Sequence, residues 1–134
     1  MINDWLARFS SLFKSEEQPA AFQTPQHISV KFMLLHGTIA IGELTLDNGI
    51  WTFCYTEAFK AQDRLAPLID FSNVDRVYKS HELFPYFAGR IPSLARPQIQ
   101  RIIKKQNIDD RNTVALLKHF GQRTITTPFE LVSL

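Results

Sequence analysis

Between residues 28 and 56 apolar and polar side chains alternate. Ile28, Val30, Phe32 and Leu34 are interleaved with Ser29, Lys31 and Met33, the period of two expected of a half-buried strand. His36-Gly37 makes a turn. A second strand follows, with Ile39 and Ile41 on one phase and Leu44 and Leu46 on the other. The phase changes at Gly42-Glu43, which predicts a β-bulge. Asp47-Asn48-Gly49 predicts a tight hairpin, because Asn-Gly supplies the positive φ angles of a type I′ turn. The third strand, Ile50 to Thr56, puts Trp51, Phe53 and Tyr55 on one face and Thr52 and Cys54 on the other. The stretch reads as a three-stranded antiparallel meander.

Elsewhere the period lengthens. Ile2, Trp5, Leu6, Phe9, Leu12 and Phe13 recur every three or four residues, with Asp4, Arg8, Ser11 and Lys14 between them. This predicts an amphipathic helix over 1–14, capped by Asn3 or Asp4. Alone in water such a helix is marginal, so its apolar stripe needs something to cover. The sequence SEEQPAAFQTPQ, residues 15–26, has no periodicity and reads as a linker. In 57–80 one helical turn is expected at Glu57–Gln62, with short strands at Ala66–Phe71 and Val74–Tyr78. The last third reads as helical. A helix at His81–Gly89 has Pro85 in its first turn and ends at Gly89. A second, Ser93–Gln106, turns Ile99, Ile102 and Ile103 inward. A third, capped by Asp109 or Asp110, carries Val114, Leu117 and Phe120 and ends at Gly121. Thr124 to Leu134 is expected to return as a strand. The fold class is therefore α+β. An N-terminal amphipathic helix (1–14) and a linker (15–26) precede one domain (27–134), in which an antiparallel meander or partial barrel is followed by a helical part.

Composition narrows the chemistry. The chain has 134 residues, 45% of them hydrophobic and 21% charged, enough for a core without disulfides or a structural metal. With Cys54 as the single cysteine, an internal disulfide framework and a Cys-rich zinc site are excluded. No apolar run approaches the length of a membrane span. The N-terminus lacks a signal-peptide pattern, and cytoplasmic residence is expected. There is no Gly-rich phosphate loop and no HExxH, and His27, His36, His81 and His119 are scattered. Cys54, mid-strand among aromatics, reads as a small hydrophobe. Asp70-Phe71-Ser72 resembles a kinase DFG only superficially, lacking the glycine and the accompanying loops. Neither an enzyme active site nor any cofactor or metal is expected.

Charge is more informative. Between Arg90 and Arg123 eight Lys or Arg stand against Asp109 and Asp110, a local excess of six, while the whole chain carries +2. Two readings stand: a surface for a phosphate-bearing or acidic partner, with Arg96, Arg101, Lys104 and Lys105 as its anion-binding residues, or the solvated face of amphipathic helices. The aromatic set Trp51, Phe53, Tyr55, Phe84, Tyr86 and Phe87 also divides between core and partner contact. Trp51 follows a hairpin turn, where full burial is difficult, and exposed Trp near Arg is typical of interface anchors. Trp51, Phe84, Tyr86 and Arg90 are the partner-binding candidates.

Two stretches together carry a resemblance. Gly42-Glu43-Leu44-Thr45-Leu46-Asp47-Asn48-Gly49, running into Trp51-Thr52-Phe53-Cys54-Tyr55, resembles the hairpin that opens HipA-type toxin kinases. Leu83-Phe84-Pro85-Tyr86-Phe87 followed by Ile91-Pro92 resembles that family's LFPFFxNLLPEG segment. The likeness covers about residues 28–123. Gly89 stands where the family usually has Asn, and Ser93-Leu94 replaces Glu-Gly. The kinase body that follows this subdomain in the family has no counterpart here, so no catalytic residue carries over. The resemblance implies a free-standing N-terminal subdomain from a bacterial toxin–antitoxin system, similar in role to an antitoxin that binds and restrains a HipA-like Ser/Thr kinase, within a larger complex that can include a DNA-binding antitoxin. The alternative is a small basic nucleic-acid-binding domain using the 90–123 face, although direct nucleic-acid contact is not the favoured expectation. The 1–14 helix has little net charge and no Lys-rich polar face, which disfavours a membrane partner.

Overall fold

The computed structural model describes residues 23–124 and 127–134. The predicted 1–14 helix, and the linker as far as residue 22, lie outside these residues. The meander forms as the alternation predicts: β1 (Ser29–His36), β2 (Ile39–Asp47) and β3 (Ile50–Tyr55). Two short strands extend it, β4 (Tyr78–Ser80) beside β3 and β5 (Glu130–Ser133) beside β1, giving an open antiparallel sheet in the order β4-β3-β2-β1-β5. The C-terminal return strand is thus present, at the sheet edge.

Asn48 and Gly49 both have positive φ, +51° and +78°, the backbone a type I′ hairpin needs. The bulge is present too, one residue earlier than the change of phase suggests. Leu34 pairs with Gly42 and Leu35 with Ala40, leaving Ile41 as the extra residue. The added residue lets Ile41, Leu44 and Leu46 all face inward although their spacing breaks the alternation. Gly42 lies directly against the Phe53 ring, with the Cys54 carbonyl 3.1 Å from where a Cβ would be. Gly42→Ala is therefore expected to lower stability by about 1–3 kcal/mol through overpacking, read as a lower urea midpoint. An unchanged midpoint would mean the bulge has slack.

The inner face of the sheet carries Phe32, Leu34, Leu44, Leu46, Trp51, Phe53 and Leu131, all fully buried. Each such side chain contributes about 1.5–3 kcal/mol over leaving it in water. The outer face carries Lys31, Glu43, Thr45, Thr52 and Cys54, all exposed or half-buried, with a diagonal Lys31–Glu43 ion pair at 3.6 Å.

Side chains from the rest of the chain cover the inner face. Thr56 caps α1 (Glu57–Lys60) by accepting from Phe59 N–H, and Phe59 is buried. The strands expected at Ala66–Phe71 and Val74–Tyr78 do not form. A 3-10 turn occupies Ile69–Phe71, and β4 starts only at Tyr78. Side chains, not a strand ladder, satisfy this backbone: Tyr55 Oη donates to Phe71 O at 2.6 Å and accepts from Leu68 N–H, while Gln62 bonds the backbone of Phe59, Arg64 and Leu65.

Helix α2 (Pro85–Ala88) starts on its proline, four residues later than the expected His81, and buries Phe87. Helix α3 (Pro97–Gln106) starts four residues later than Ser93 and ends on Asn107 in the left-handed conformation, φ +55°. Helix α4 (Thr113–Phe120) is capped by neither Asp109 nor Asp110 but by Asn112, whose side chain accepts from Val114 and Ala115 N–H. Asp109 instead accepts from Arg111 N–H in the preceding turn. Gly89 and Gly121 end their helices in ordinary right-handed backbone.

Residues 23–26 are fastened to the domain. Gln23 N–H donates to Arg111 O, Gln23 O accepts from the Thr113 amide and hydroxyl, and Thr24 Oγ1 accepts from the Trp51 indole at 3.1 Å.

Candidate partner-binding surface

The surface is built around Phe71. The 3-10 turn drives this ring into the core at 2% exposure, among Phe53 (centroids 4.4 Å apart), Tyr78 (5.0 Å), Phe84 (5.3 Å) and Tyr86 (6.2 Å). Two residues earlier in the same turn Ile69 stands 94% exposed. The Pro85 start of α2 does the same from the other side. It sends Phe87 inward and leaves Phe84 and Tyr86 half-buried at the surface of the cluster. Leu65 and Leu68 are also half-buried against the core. Phe71 thus has Ile69 exposed two residues before it in the chain and Phe84 and Tyr86 half-buried against its ring, an apolar edge on backbone that Tyr55 and Gln62 hold in place. Exposed apolar groups that gather in one place, unlike scattered ones, mark interaction surfaces.

The Tyr86 hydroxyl is enclosed and has no hydrogen-bond partner among the described residues. Burial pushes the Tyr86 phenol above its usual range, with the Arg90 charge opposing the shift.

Of the four residues expected to touch a partner, Phe84 and Tyr86 reach this edge and two do not. Trp51 is 0% exposed. The hairpin position that makes burial difficult is closed by residues 23–26, whose Thr24 takes the indole proton. Arg90 is 6% exposed, and its guanidinium donates to Gly121 O (2.5 Å), Gln122 O (3.0 Å) and Phe129 O (2.8 Å). Burial lowers its pKa. Both side chains hold the fold together and neither offers a surface. Ile69 escaped the sequence reading because Ala66–Phe71 looks like a buried strand, and only the 3-10 turn separates Ile69 from Phe71.

The cationic candidates form a second surface. Arg96, Arg101, Lys104 and Lys105 are all exposed. Arg96 is the N-cap residue of α3 and the other three project from the helix. Ile99 and Ile103 occupy its inner face. None of the four is in an ion pair among the described residues, whose ion pairs involve Lys31, Lys60 and Arg123.

Cys54 lies half-buried on the outer face of the sheet, not in the core. Burial, and then the Glu43 carboxylate, raises its thiol pKa, which keeps the nucleophilic thiolate scarce at neutral pH. Among the described residues no group of three or more His, Cys, Asp or Glu is placed to hold a metal, and no helix is long and apolar enough to cross a membrane. An open trough of about 640 Å³ lies beside the start of β1, lined by Lys31, Asp47 and Lys118 among others.

No curated protein matches this chain. The family model of the HipA N-terminal domain matches residues 16–125, reaching back into the stretch that reads as a linker and taking in the hairpin, the Phe84–Phe87 block and both long helices. With most of its length covered by that match, the chain belongs to the HipA N-terminal domain family.

Proposed function

We propose that the domain is a non-catalytic docking module of a toxin–antitoxin system, which binds a HipA-like Ser/Thr kinase and neutralises it. Family membership supports the toxin–antitoxin context. The observation that carries the docking is the group around Phe71: Ile69, 94% exposed two residues before it in the chain, and Phe84 and Tyr86, half-buried against its ring. A domain fused to its kinase sits at a millimolar-scale effective concentration and needs little affinity of its own. A separate one must gain affinity from its interface, typically about 1,600 Å² in total. Most of that energy comes from a few well-packed anchors, often aromatic. The Ile69–Phe84–Tyr86 edge supplies such anchors on rigid backbone. Docked on the kinase N-lobe or across the interlobe cleft, the module restrains closure or blocks substrate entry.

Co-expression with a HipA-like kinase encoded beside it is expected to relieve growth arrest and yield a co-purifying complex. Ile69→Asp places a charge two residues from Phe71, at a side chain that is almost wholly exposed and so outside the core. It is expected to weaken the complex at least tenfold, about 1.4 kcal/mol, and to restore toxicity in proportion, with the melting temperature unchanged. Toxicity indifferent to the wild-type protein would overturn the proposal. Ile69→Asp binding like wild type would move the docking surface elsewhere on the molecule.

A further inference from the structure

The exposed face of α3 is a feature that the proposed docking edge does not include. No carboxylate occurs between Glu82 and Asp109, while Arg90, Arg96, Arg101, Lys104 and Lys105 lie in that interval. Arg90 is consumed inside the fold, which leaves four exposed cations without ion-pair partners among the described residues. Arg101, Lys104 and Lys105 are spaced i, i+3, i+4 and so sit side by side, with Cβ atoms about 5–6 Å apart. Arg96 lies at the far end, eight residues before Lys104, or about 12 Å along the axis.

The arrangement works against the helix itself. A cation at the N-cap opposes the helix dipole, and the first turn holds no acidic residue to offset Arg96. Like charges four apart, as at Arg101 and Lys105, repel. Lys104 and Lys105 suit the helix C-terminus; Arg96 and Arg101 gain nothing locally. Local rules broken without local compensation point to a function.

The composition of the face selects the kind of partner. Pro97, Gln98, Arg101, Lys104, Lys105 and Gln106 are the exposed residues of α3, Ile102 is half-buried, and Ile99 and Ile103 are buried behind them. The fully buried centre of a protein–protein interface is apolar and poor in Lys, and this face offers no exposed aromatic or large aliphatic anchor, only Pro97 at its start and the half-buried Ile102. A nucleic-acid backbone needs none. It is bound by Lys and Arg alone through phosphate contacts and counterion release. Each strand of a duplex carries one phosphate per about 3.4 Å of axis, so a patch of about 12 Å meets several.

We propose that the exposed face of α3, with Arg96, Arg101, Lys104 and Lys105, binds the phosphate backbone of duplex DNA without reading its sequence. This surface is distinct from the apolar edge around Ile69, so the two can be lost independently.

The test is fluorescence anisotropy of the full chain with a labelled short duplex of arbitrary sequence, from about 50 to about 200 mM salt. Wild type is expected to bind at the low end, with a log–log salt slope of about −3 to −4 for four phosphate contacts. The triple variant Arg101→Gln/Lys104→Gln/Lys105→Gln changes only exposed side chains. It is expected to melt like wild type, bind at least tenfold more weakly and lose about two to three units of slope. Ile69→Asp is expected to bind DNA like wild type, which separates this surface from kinase docking. No binding at low salt, or a triple variant with wild-type affinity and slope, would overturn the proposal. So would a triple variant that loses the kinase complex while keeping DNA, because the face would then serve an acidic protein.

Discussion

Arg90→Leu is expected to destabilise the domain by about 3 kcal/mol or more, for a reason that lies in the acceptors rather than in the arginine. The guanidinium donates to three carbonyls from two chain segments: Gly121 and Gln122 just after α4, and Phe129 just before β5. Hydrogen bonds to a charged group are worth about 1.5–3 kcal/mol each and do not simply add. Leucine fills part of the volume and removes the desolvation burden of a buried cation. It also leaves the Gly121 and Phe129 carbonyls facing a side chain that cannot donate, while Gln122 O keeps its bond from Leu131 N–H at 2.8 Å, and each enclosed carbonyl left unpaired costs about 1–3 kcal/mol. The deficit outweighs the relief. Lysine keeps the charge but not the planar fork that reaches three acceptors, so Arg90→Lys is expected to recover only part of the loss. Denaturation should show a lower midpoint with an unchanged slope for both variants, in the order wild type, Lys, Leu. The melting temperature should fall by about 10 °C or more for Leu. Because Arg90 ties β5 to the end of α4, amide exchange at Leu131 and Val132 should accelerate before the β2–β3 hairpin is affected. Arg90→Leu melting with wild type would mean the Gly121 and Phe129 carbonyls find other donors.

The same residue shows where sequence reasoning loses its grip. The meander was legible because everything that specifies it is local: alternation in 28–34 and 50–56, the phase change at the bulge, and Asn48-Gly49. Helix α2 was legible from Pro85. The span 57–80 was not, because its apolar residues obey no period. Phe71 and Tyr78 answer to each other and to Phe53 and Phe84, the backbone leading into Phe71 is held by Tyr55 Oη and the Gln62 amide, and that between Phe71 and Tyr78 by the Asn73 side chain and the Tyr78 hydroxyl, in place of a ladder. No window of adjacent residues contains that information. The site candidates divide in the same way. Arg96, Arg101, Lys104 and Lys105 are exposed, since cations on the polar side of an amphipathic helix have nowhere else to go. Trp51 and Arg90 read as partner contacts from the composition of interfaces. Their real partners are Thr24, 27 residues away, and carbonyls 31 to 39 residues away. Trp and Arg are versatile enough to anchor an interface or a core, and only the fold decides which.

Trp51 makes that distinction measurable. Its side chain is fully buried on β3, opposite Leu46 on β2 and Ser80 on β4, with its indole N–H on Thr24 Oγ1. Trp51→Ala removes the largest ring of the core from a site backed by a sheet, which cannot collapse to fill the hole. A loss of about 3–5 kcal/mol is expected, a large share of the stability of a domain this size, and the variant is expected to populate unfolded chains at 37 °C. Trp51→Phe keeps much of the ring but leaves Thr24 without its donor, for a loss of about 1–2 kcal/mol. The Phe variant then separates the two roles. If Trp51 acts only within the fold, Trp51→Phe melts lower yet binds the kinase with wild-type affinity at temperatures where it is folded, the reverse of Ile69→Asp. With Trp5 replaced by Phe, Trp51 becomes the sole indole, and its emission should be blue-shifted and insensitive to kinase addition. A red-shifted emission that moves on complex formation, or a Trp51→Phe variant that melts like wild type but binds poorly, would return Trp51 to the surface and undo the assignment of residues 23–26 as its cover.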